Sequence, residues 1–516
     1  MLPPVRVLLW HGWLLEATGS NVYTAKAAEA MRRAGHHVAI LCQDPHPERY
    51  PFVDAWGVVD GTGVRLAGDT GVPRATGRVT LLRPEIGRLL PVFVLDEYEG
   101  FDVRRFVDLD DAALSGYLER NVQALRAAAA WHRPDAAIAG HVVPGGVVAA
   151  RALGAGAYVL KVHGSDLEYA IRPQARYRPL AAEALAGARA VTGASRDVLE
   201  RALAFAPEAR GRERVVAPGV EADRFRPRAR REALQDAGAR LAADPQPRAG
   251  RPDALDDVMR EALAARDGRA LHDLALRYDQ GAPDPGAAAR LRALAAFEGP
   301  LVGYCGKLIP QKGVEVLLEA LVRARPVAAA LLVVGYGQYR EWLAGLVDAL
   351  DGGDADAVAW LREAGPMALD LDPAAVRAAA GFGSRITFTG RLDHRYAPEA
   401  LAAMDVQVTP SLLEEAFGMV AAEGAAAGNL PLVARHSGLA EVGQSLEAAV
   451  GRPGLFTYEP GPGAGARIAA GIERLLGLPE AERHDLRATV SDVARREWSW
   501  DHTARELLAP FAGATR

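Results

Sequence analysis

Two doubly wound α/β units in series are the fold that this sequence predicts. Three observations carry that reading: strand and helix signals alternate through two long stretches, a helical stretch rich in Pro and Gly separates them, and 516 residues exceed what one hydrophobic core usually supports. Such alternation implies parallel sheets covered by helices on both faces.

The elements follow in order. "VRVLLWHGW" reads as a strand entering a loop, "TGSNVYTAKAAEAMRRAG" as a helix ended by Gly35, and "HHVAILCQD" as the next strand, together a βαβ unit. Helix and strand pairs continue through "LERNVQALRAAAAWH" with "DAAIAG", "GGVVAARAL" with "YVLKVHGSD", and "LAAEALAGA" with "RAVTGAS". "RERVVAPGVEADRFRPR" closes the first unit, so its predicted extent is 1–228. Residues 229–298 break into short Ala/Arg/Asp helical pieces punctuated by "DPQPRAGRP" and "YDQGAPDPG"; a helical insertion or a linker fits, and no chemistry is evident in it. The alternation restarts at "GPLVGYCGKLIPQKGVEVLLEAL" and continues through "AALLVVGYG", "ITFTGRL", "DVQVTPS" and "LPLVARHSG", giving a second unit over 299–496 with a further helical insertion at about 350–382. The end, 497–516, reads as an amphipathic helix.

Composition narrows the function classes. Net charge is −5, with 60 Lys and Arg against 65 Asp and Glu, so no overall basic character points to nucleic acid. Cys42 and Cys305 lie far apart in apolar runs, as buried thiols in a reducing compartment would. The first strand starts too near Met1 for a signal peptide and no apolar run reaches 18 residues, so a soluble cytoplasmic protein is expected. Arginine is used almost throughout; the only lysines are Lys26, Lys161, Lys307 and Lys312. Retained lysine suggests a need for a compact ammonium, although codon noise explains any single one equally simply.

Chemistry concentrates at the predicted turns. In "SLLEEAFGMVAAEGAAAGNLP", Glu414 and Glu415 precede a helix expected to begin near Phe417 and end at Gly428. The N–H groups of Phe417, Gly418 and Met419 would then be open to an anion such as a diphosphate, with Gly418 permitting close approach. The bland alternative has both glutamates favouring the helix dipole and Glu423 merely solvated. "GKLIPQKG" places Lys307 and Lys312 at the first turn of the second unit, where parallel sheets bind ligands; two cations there could stabilise a diphosphate leaving group in place of a metal. A solvated surface loop is the alternative. No metal-ligand cluster is evident, and no cofactor is expected. "LKVHGSD" sets His163 and Asp166 at a strand end, where a structural histidine and a helix-capping aspartate compete with site roles. His141 ends another strand, where a site role and a structural one are equally open, while Ser437, Gly438 and Leu439 form a further turn.

In that order, "TGSNVY", "HGSD", "PGVEADRF", "GKLIPQKG", "EEAFGMVAAE" and "SGLAEV" make the chain resemble a family 4 glycosyltransferase of the GT-B fold, whose members are retaining and use nucleotide sugars. It departs from the family in Lys307, where arginine is common, in a less glycine-rich "TGSN" loop, and in its two insertions. The resemblance implies two facing Rossmann-like domains, an N-terminal acceptor domain to which the last helix crosses back and a C-terminal nucleotide-sugar domain. It implies catalytic roles for His163 beside the donor sugar, Lys312 at the diphosphate and Glu415 at the sugar hydroxyls. Donor binding would fall to Lys307, Phe417, Gly418, Met419, Glu423 at the ribose, the base-contacting loop Gly390, Arg391 and Leu392, and to Ser437 and Gly438. Gly19, His141 and Asp166 would line the acceptor side. The acceptor stays open among lipid, polysaccharide and small metabolite, with peripheral membrane contact compatible. A sugar-nucleotide epimerase on the same fold and a non-catalytic nucleotide-sugar-binding protein are the rival readings; a dinucleotide oxidoreductase fits poorly because the first turn lacks a full G-x-G-x-x-G.

Overall fold

Strand signals in both halves of the chain resolve into two separate sheets, parallel but for one pair of strands, in a computed structural model that describes residues 3–16, 18–71, 77–94, 98, 100–244, 249–324, 328–365 and 367–512. The chain divides into two compact units, 1–219 with 498–516, and 220–497.

In the first unit the strands are β1 (Arg6–Trp10), β2 (His37–Leu41), β3 (Ala55–Asp60), β4 (Gly63–Asp69), β5 (Arg78–Pro84), β6 (Leu89–Val92), β7 (Asp102–Arg105), β8 (Ala136–Gly140), β9 (Val159–Val162), β10 (Ala190–Gly193) and β11 (Glu213–Val215). Nine of them form one sheet in the order β11-β10-β9-β8-β1-β2-β5-β3-β4, and β6 pairs with β7 apart from it. Every neighbour pair in the large sheet is parallel except β3 with β4. Val7, Leu8, Val38 and Ile40 are almost wholly buried, which is why β1 and β2 read as continuous apolar runs rather than as alternation. The helix Trp500–Leu508 packs on the helix Gly19–Arg33, with Trp500 edge-on to Tyr23 at 5.5 Å and Thr503 donating to the Ala217 carbonyl at 2.8 Å.

The second unit holds β12 (Leu301–Lys307), β13 (Ala330–Tyr336), β14 (Ile386–Phe388), β15 (Val406–Thr409), β16 (Leu430–Ala434) and β17 (Thr457–Tyr458), all parallel, in the order β14-β13-β12-β15-β16-β17. Counting from β12, this is the dinucleotide-fold order of third, second, first, fourth, fifth and sixth strand. The order reverses between β12 and β15, the switch point at whose carboxyl ends sheets of this kind bind their ligands.

The stretch 229–298 is folded into this unit and does have work there. Its helix Arg230–Ala243 packs against Ala287–Leu294 and Ala397–Ala403, while Leu255–Ala264 and Gly268–Leu274 pack on Arg340–Asp351. Arg251 and Glu341 form an ion pair at 2.8 Å that is almost wholly buried, and Tyr278 donates to the same carboxylate at 2.8 Å. The second insertion, with helices Ala355–Ala364 and Pro373–Ala378, joins this layer by stacking Trp360 on Trp342 at 5.9 Å, with the Arg266 guanidinium 5.8 Å from the Trp360 ring.

Candidate functional site

At the carboxyl ends of β12 and β15, where the strand order reverses, Lys312 and Glu415 come together. The turn after β12 ends in Gly313, in the left-handed region at φ 63, where a Cβ would meet the Pro410 carbonyl oxygen at 2.2 Å. Glycine therefore lets the "GKLIPQKG" turn lie directly on the loop leaving β15, and Leu412 N–H donates to the Gln311 carbonyl at 2.8 Å. Across this junction Lys312 Nζ donates to Glu415 Oε1 at 2.7 Å. Burial would raise the Glu415 carboxyl, but the Lys312 ammonium beside it, helped by Ser411 and His436, holds it below the usual carboxylate range. Lys307 is tethered through its carbonyl, which accepts from Tyr304 Oη at 2.7 Å, and its ammonium lies 5.9 Å from the Tyr336 ring centre.

A third loop locks onto the second. Gly438 N–H donates to the Glu415 carbonyl at 3.0 Å and Glu415 N–H to Ser437 Oγ at 2.8 Å. Ser437 Oγ lies 3.0 Å from His436 Nδ1, and His436 Nε2 lies 2.8 Å from the Ser411 carbonyl. The carbonyl accepts from Nε2–H, which leaves Nδ1 to accept from the Ser437 hydroxyl and so fixes the relay. Any Cβ on Gly438 would meet the Ala416 carbonyl oxygen at 2.5 Å. His436 and Ser411 were not singled out from the sequence, although His436 directly precedes "SGL" and Ser411 opens "SLLEEAF".

The helix after this loop runs Met419–Ala426, two residues later than the sequence suggests, because Gly418 adopts φ 112 and serves as its N-cap. Ala421 and Ala422 N–H donate to the Gly418 carbonyl, so the open donors are those of Met419 and Val420, and Phe417 lies before the helix. Glu423, 8% exposed, has its carboxyl raised to about 7, first by burial and then by Glu221, with His394 opposing. The helix is pinned to the sheet through Gln407 of β15, which donates to the Val420 carbonyl at 3.0 Å and accepts from Asn429 at 2.9 Å; Gly424 leaves room for that amide.

The loop Gly390, Arg391, Leu392 is held by the first insertion. Asp284 N–H donates to the Thr389 carbonyl at 2.9 Å and Arg391 N–H to the Ala282 carbonyl at 3.3 Å, while Gly335 N–H donates to the Gly390 carbonyl at 3.1 Å. Gly390 has φ 70. The Arg391 guanidinium lies 5.4 Å from the Tyr336 ring, which the Lys307 ammonium also approaches. Leu392 is buried.

The first unit has its own cluster at the carboxyl ends of β1, β8 and β9. His163, partly exposed, follows β9; its ring is 4.5 Å from that of His141 after β8 and edge-on to Tyr23 at 5.4 Å. His141, 1% exposed and in the left-handed region at φ 68, packs against Trp13 at 4.6 Å and Phe93 at 5.1 Å, and neither of its ring nitrogens has a hydrogen-bond partner. Burial, together with mutual repulsion and the Lys161 charge, pushes the His163 imidazole well below its ordinary value, and burial does the same for His141, so both are neutral at physiological pH. Lys161 is buried, with its ammonium 4.6 Å from the Tyr23 ring and one hydrogen bond, to the Val216 carbonyl at 3.2 Å; burial lowers it to about 7. Asp166 Oδ2 accepts from Val142 N–H at 2.5 Å and Val143 N–H at 3.3 Å, fixing the loop that carries His141, its buried Oδ1 has no hydrogen-bond partner among the described residues, and burial raises the carboxyl to about 6. Gly19 opens the first helix, and a Cβ there would meet nothing within 4 Å. Among the described residues no three His, Cys, Asp or Glu side chains are placed to hold a metal ion.

Comparison with known proteins places this geometry. Residues 18–219 match a family model described as a glycosyl transferase 4-like domain, and residues 361–477 one described as glycosyl transferases group 1. Over 209 residues, 40% of the chain, it is 26% identical to an uncharacterized glycosyltransferase of Methanocaldococcus jannaschii, and over 54 residues, 10% of the chain, 43% identical to a glycogen synthase of Halorhodospira halophila. Those matches span 43% and 11% of the two relatives. The fold is similar to sucrose-phosphate synthase from Thermosynechococcus elongatus (TM-score 0.55, 18% identity, 99% of both chains) and to the Anabaena protein HepE in complex with UDP-glucose (TM-score 0.56, 14% identity, 98% and 99% of the chains). It is equally similar to the catalytic domain of starch synthase IV from Arabidopsis thaliana bound to ADP and acarbose (TM-score 0.56, 13% identity, 99% of both chains). The chain belongs to the glycosyltransferases of the GT-B fold, with a 4-like domain followed by a group 1 domain.

Proposed function

We propose that the protein transfers a sugar from a nucleotide-diphosphate sugar to an acceptor hydroxyl with retention of anomeric configuration and without an essential metal. The observation that carries this reading is the Lys312–Glu415 pair, set with Lys307 and the open N–H groups of Met419 and Val420 around the switch point of the second sheet. Charge develops on the diphosphate as the bond from its oxygen to the anomeric carbon breaks. Two ammonium groups and a helix N-terminus are fixed there beforehand, so they stabilise that charge without reorganising. The acceptor oxygen bonds to the anomeric carbon on the same face, and its proton passes to the leaving diphosphate. Glu415, held ionised by Lys312, accepts from sugar hydroxyls; Glu423 takes the ribose hydroxyls; Gly390 to Leu392 meet the base through backbone groups.

In the first unit, neutral and partly exposed His163 is able to donate to or accept from a hydroxyl, whereas His141, 1% exposed, packs beneath it. The acceptor class, whether lipid, polysaccharide or small metabolite, is left to experiment. No helix among the described residues is long and apolar enough to cross a membrane, and we place the protein in the cytoplasm as part of the same proposal.

A thermal-shift panel of UDP, GDP, ADP, TDP and their common sugars, with and without chelator, tests the donor reading, with UDP-glucose first because the similar HepE fold is known with it. Stabilisation that survives chelator and is lost in Lys312→Ala/Glu423→Ala supports it. Proton NMR of the product's anomeric signal then reads retention directly. Binding without transfer or hydrolysis would favour a non-catalytic protein, and interconversion of the free sugar nucleotide an epimerase.

A further inference from the structure

The motif PGVEADRF, 218–225, sends two side chains of the second unit onto one histidine. Glu221 Oε2 lies 3.0 Å from His394 Nδ1, and the buried Phe225 ring meets the imidazole edge-on at 5.5 Å. A carboxylate oxygen is acceptor-only, so Nδ1 carries the hydrogen and Nε2 is the nitrogen that gains or loses a proton. That nitrogen lies 3.8 Å from Glu423 Oε1. His394 itself sits on the loop that continues from Gly390 to Leu392, so one short segment reaches both the base-contacting backbone and the carboxylate of Glu423.

Neighbouring charges are largely committed elsewhere. Arg395 is paired with Asp393 and Asp244, and Arg391 stacks toward Tyr336. From β12, Cys305 faces Glu423 as a neutral thiol, pushed up to about 12 by burial and then by that carboxylate. Glu423 thus faces one group able to take its proton, His394, and one further carboxylate, Glu221.

We propose that His394 is a positioning residue for Glu423: clamped by Glu221 and Phe225, its imidazole receives the Glu423 proton when a nucleoside diol binds, so that both oxygens of the carboxylate are free to accept the two hydroxyls. This deepens the donor reading and rests on Glu423 as the diol ligand. A carboxylic acid spends one oxygen as a donor, whereas a carboxylate accepts from both hydroxyls. With His394 in place the proton moves 3.8 Å or less and none need leave the protein. Without it, the proton must go to solvent, and binding weakens as the solution becomes more acid.

The test titrates UDP, GDP, ADP and TDP, and the 2′,3′-dideoxy analogue of whichever binds, against wild type, His394→Gln and His394→Arg between pH 5.5 and 9. Affinity of His394→Gln for the ribonucleotide should fall by roughly tenfold per pH unit below neutrality relative to wild type, and converge with it above about pH 8. His394→Arg, a permanent cation, should restore the acid-side affinity, and the dideoxy analogue should not distinguish the three proteins. Calorimetry of wild type in two buffers of different ionisation enthalpy should show little proton exchange at neutral pH, an expectation that needs no variant. An equal loss at every pH, or an equal loss for the dideoxy analogue, would make His394 a packing residue and overturn the inference while leaving the donor site standing. If wild type binds no nucleotide at all, both the inference and the donor reading fall.

Discussion

Lys312 and Glu415 stand 103 residues apart in sequence and 2.7 Å apart in space, joining the two loops that leave the second sheet where its strand order reverses. The pair binds its own partners until a substrate competes for them. Lys312→Met should lower kcat/KM by roughly 10²–10³-fold, the usual loss when one prepositioned charge-stabilising donor is removed. Glu415→Gln added to it should cost much less than it does alone, which a double-variant kinetic cycle reads.

The same pair carries a pH signature. Glu415 is held below its ordinary value, so its contribution to stability is full above the unfolded carboxylate value and is lost as pH falls through the lowered folded value. Denaturant titrations from pH 7 down to pH 3 should show a steeper loss for wild type than for Lys312→Met.

Two glycines at helix starts make opposite predictions. Gly418 holds φ 112 and a Cβ there would meet Leu439 Cδ2 at 2.6 Å, so Gly418→Ala should destabilise by about 1–3 kcal/mol and weaken nucleotide binding with it. Gly19→Ala meets nothing within 4 Å and enters a helix at a compatible backbone position, so unfolding free energy should hold or rise by about 0.5 kcal/mol. If Gly19 lines a substrate, Gly19→Val should then raise KM at unchanged stability, separable by steady-state kinetics and thermal melts on one preparation.

Lys161 should cost stability at neutral pH. Its folded value, about 7, lies below the ordinary 10.5, so the unfolded chain binds more protons between the two and stability climbs with pH across that window. Lys161→Met should therefore be the more stable protein at pH 7, by about 1–3 kcal/mol after allowing for the lost contact with Tyr23, and the gap should close toward pH 10. Urea unfolding at pH 7 and pH 10 measures it. The same substitution should raise the His163 titration point in imidazole NMR, because a repelling charge is gone.

Arg251→Ala would leave Glu341 buried without its cation, at a cost of about 3–5 kcal/mol. The substitution keeps the Arg251 backbone N–H that donates to Asp284, whose own N–H braces the Thr389 carbonyl, so any shift of this segment as it relaxes around the unpaired carboxylate should be passed to the Gly390–Leu392 loop. Hydrogen exchange at residues 389–392 should speed up even where the variant stays folded.

Much of this was legible in the sequence where one physical signal dominates. β13, buried along nearly its whole length, is an apolar run, and β12 is apolar and buried over its first four positions before the GKLIPQKG turn. Less visible was 55–105, where the largely exposed hairpin strand "GVRLAGD" of β4 carries no apolar run; even so, β5, "RVTLLRP", had a readable one. The first-unit boundary expected at 228 falls at 219, because Glu221 and Phe225 pair with partners in the second unit that no local pattern announces. Asp166 reads as a cap for the helix that follows, yet it secures a loop more than twenty residues upstream, a long-range bond to which spacing is blind. The insertion 229–298, read as lacking chemistry, braces the Gly390–Leu392 loop through backbone bonds, and these depend on no particular side chain.

The buried amide of Gln407 has a mechanical meaning. It joins the strand β15, the carbonyl of Val420 on the next helix and the side chain of Asn429 at three fixed points. A leucine in its place would fill similar volume and keep the layer apolar, but would leave the helix free to slide or turn by a fraction of a residue over a smooth surface. Glu423 rides on that helix, so the amide acts as a detent: it sets a single rest position for the carboxylate, and the tolerance of the site is inherited from a side chain that touches no substrate.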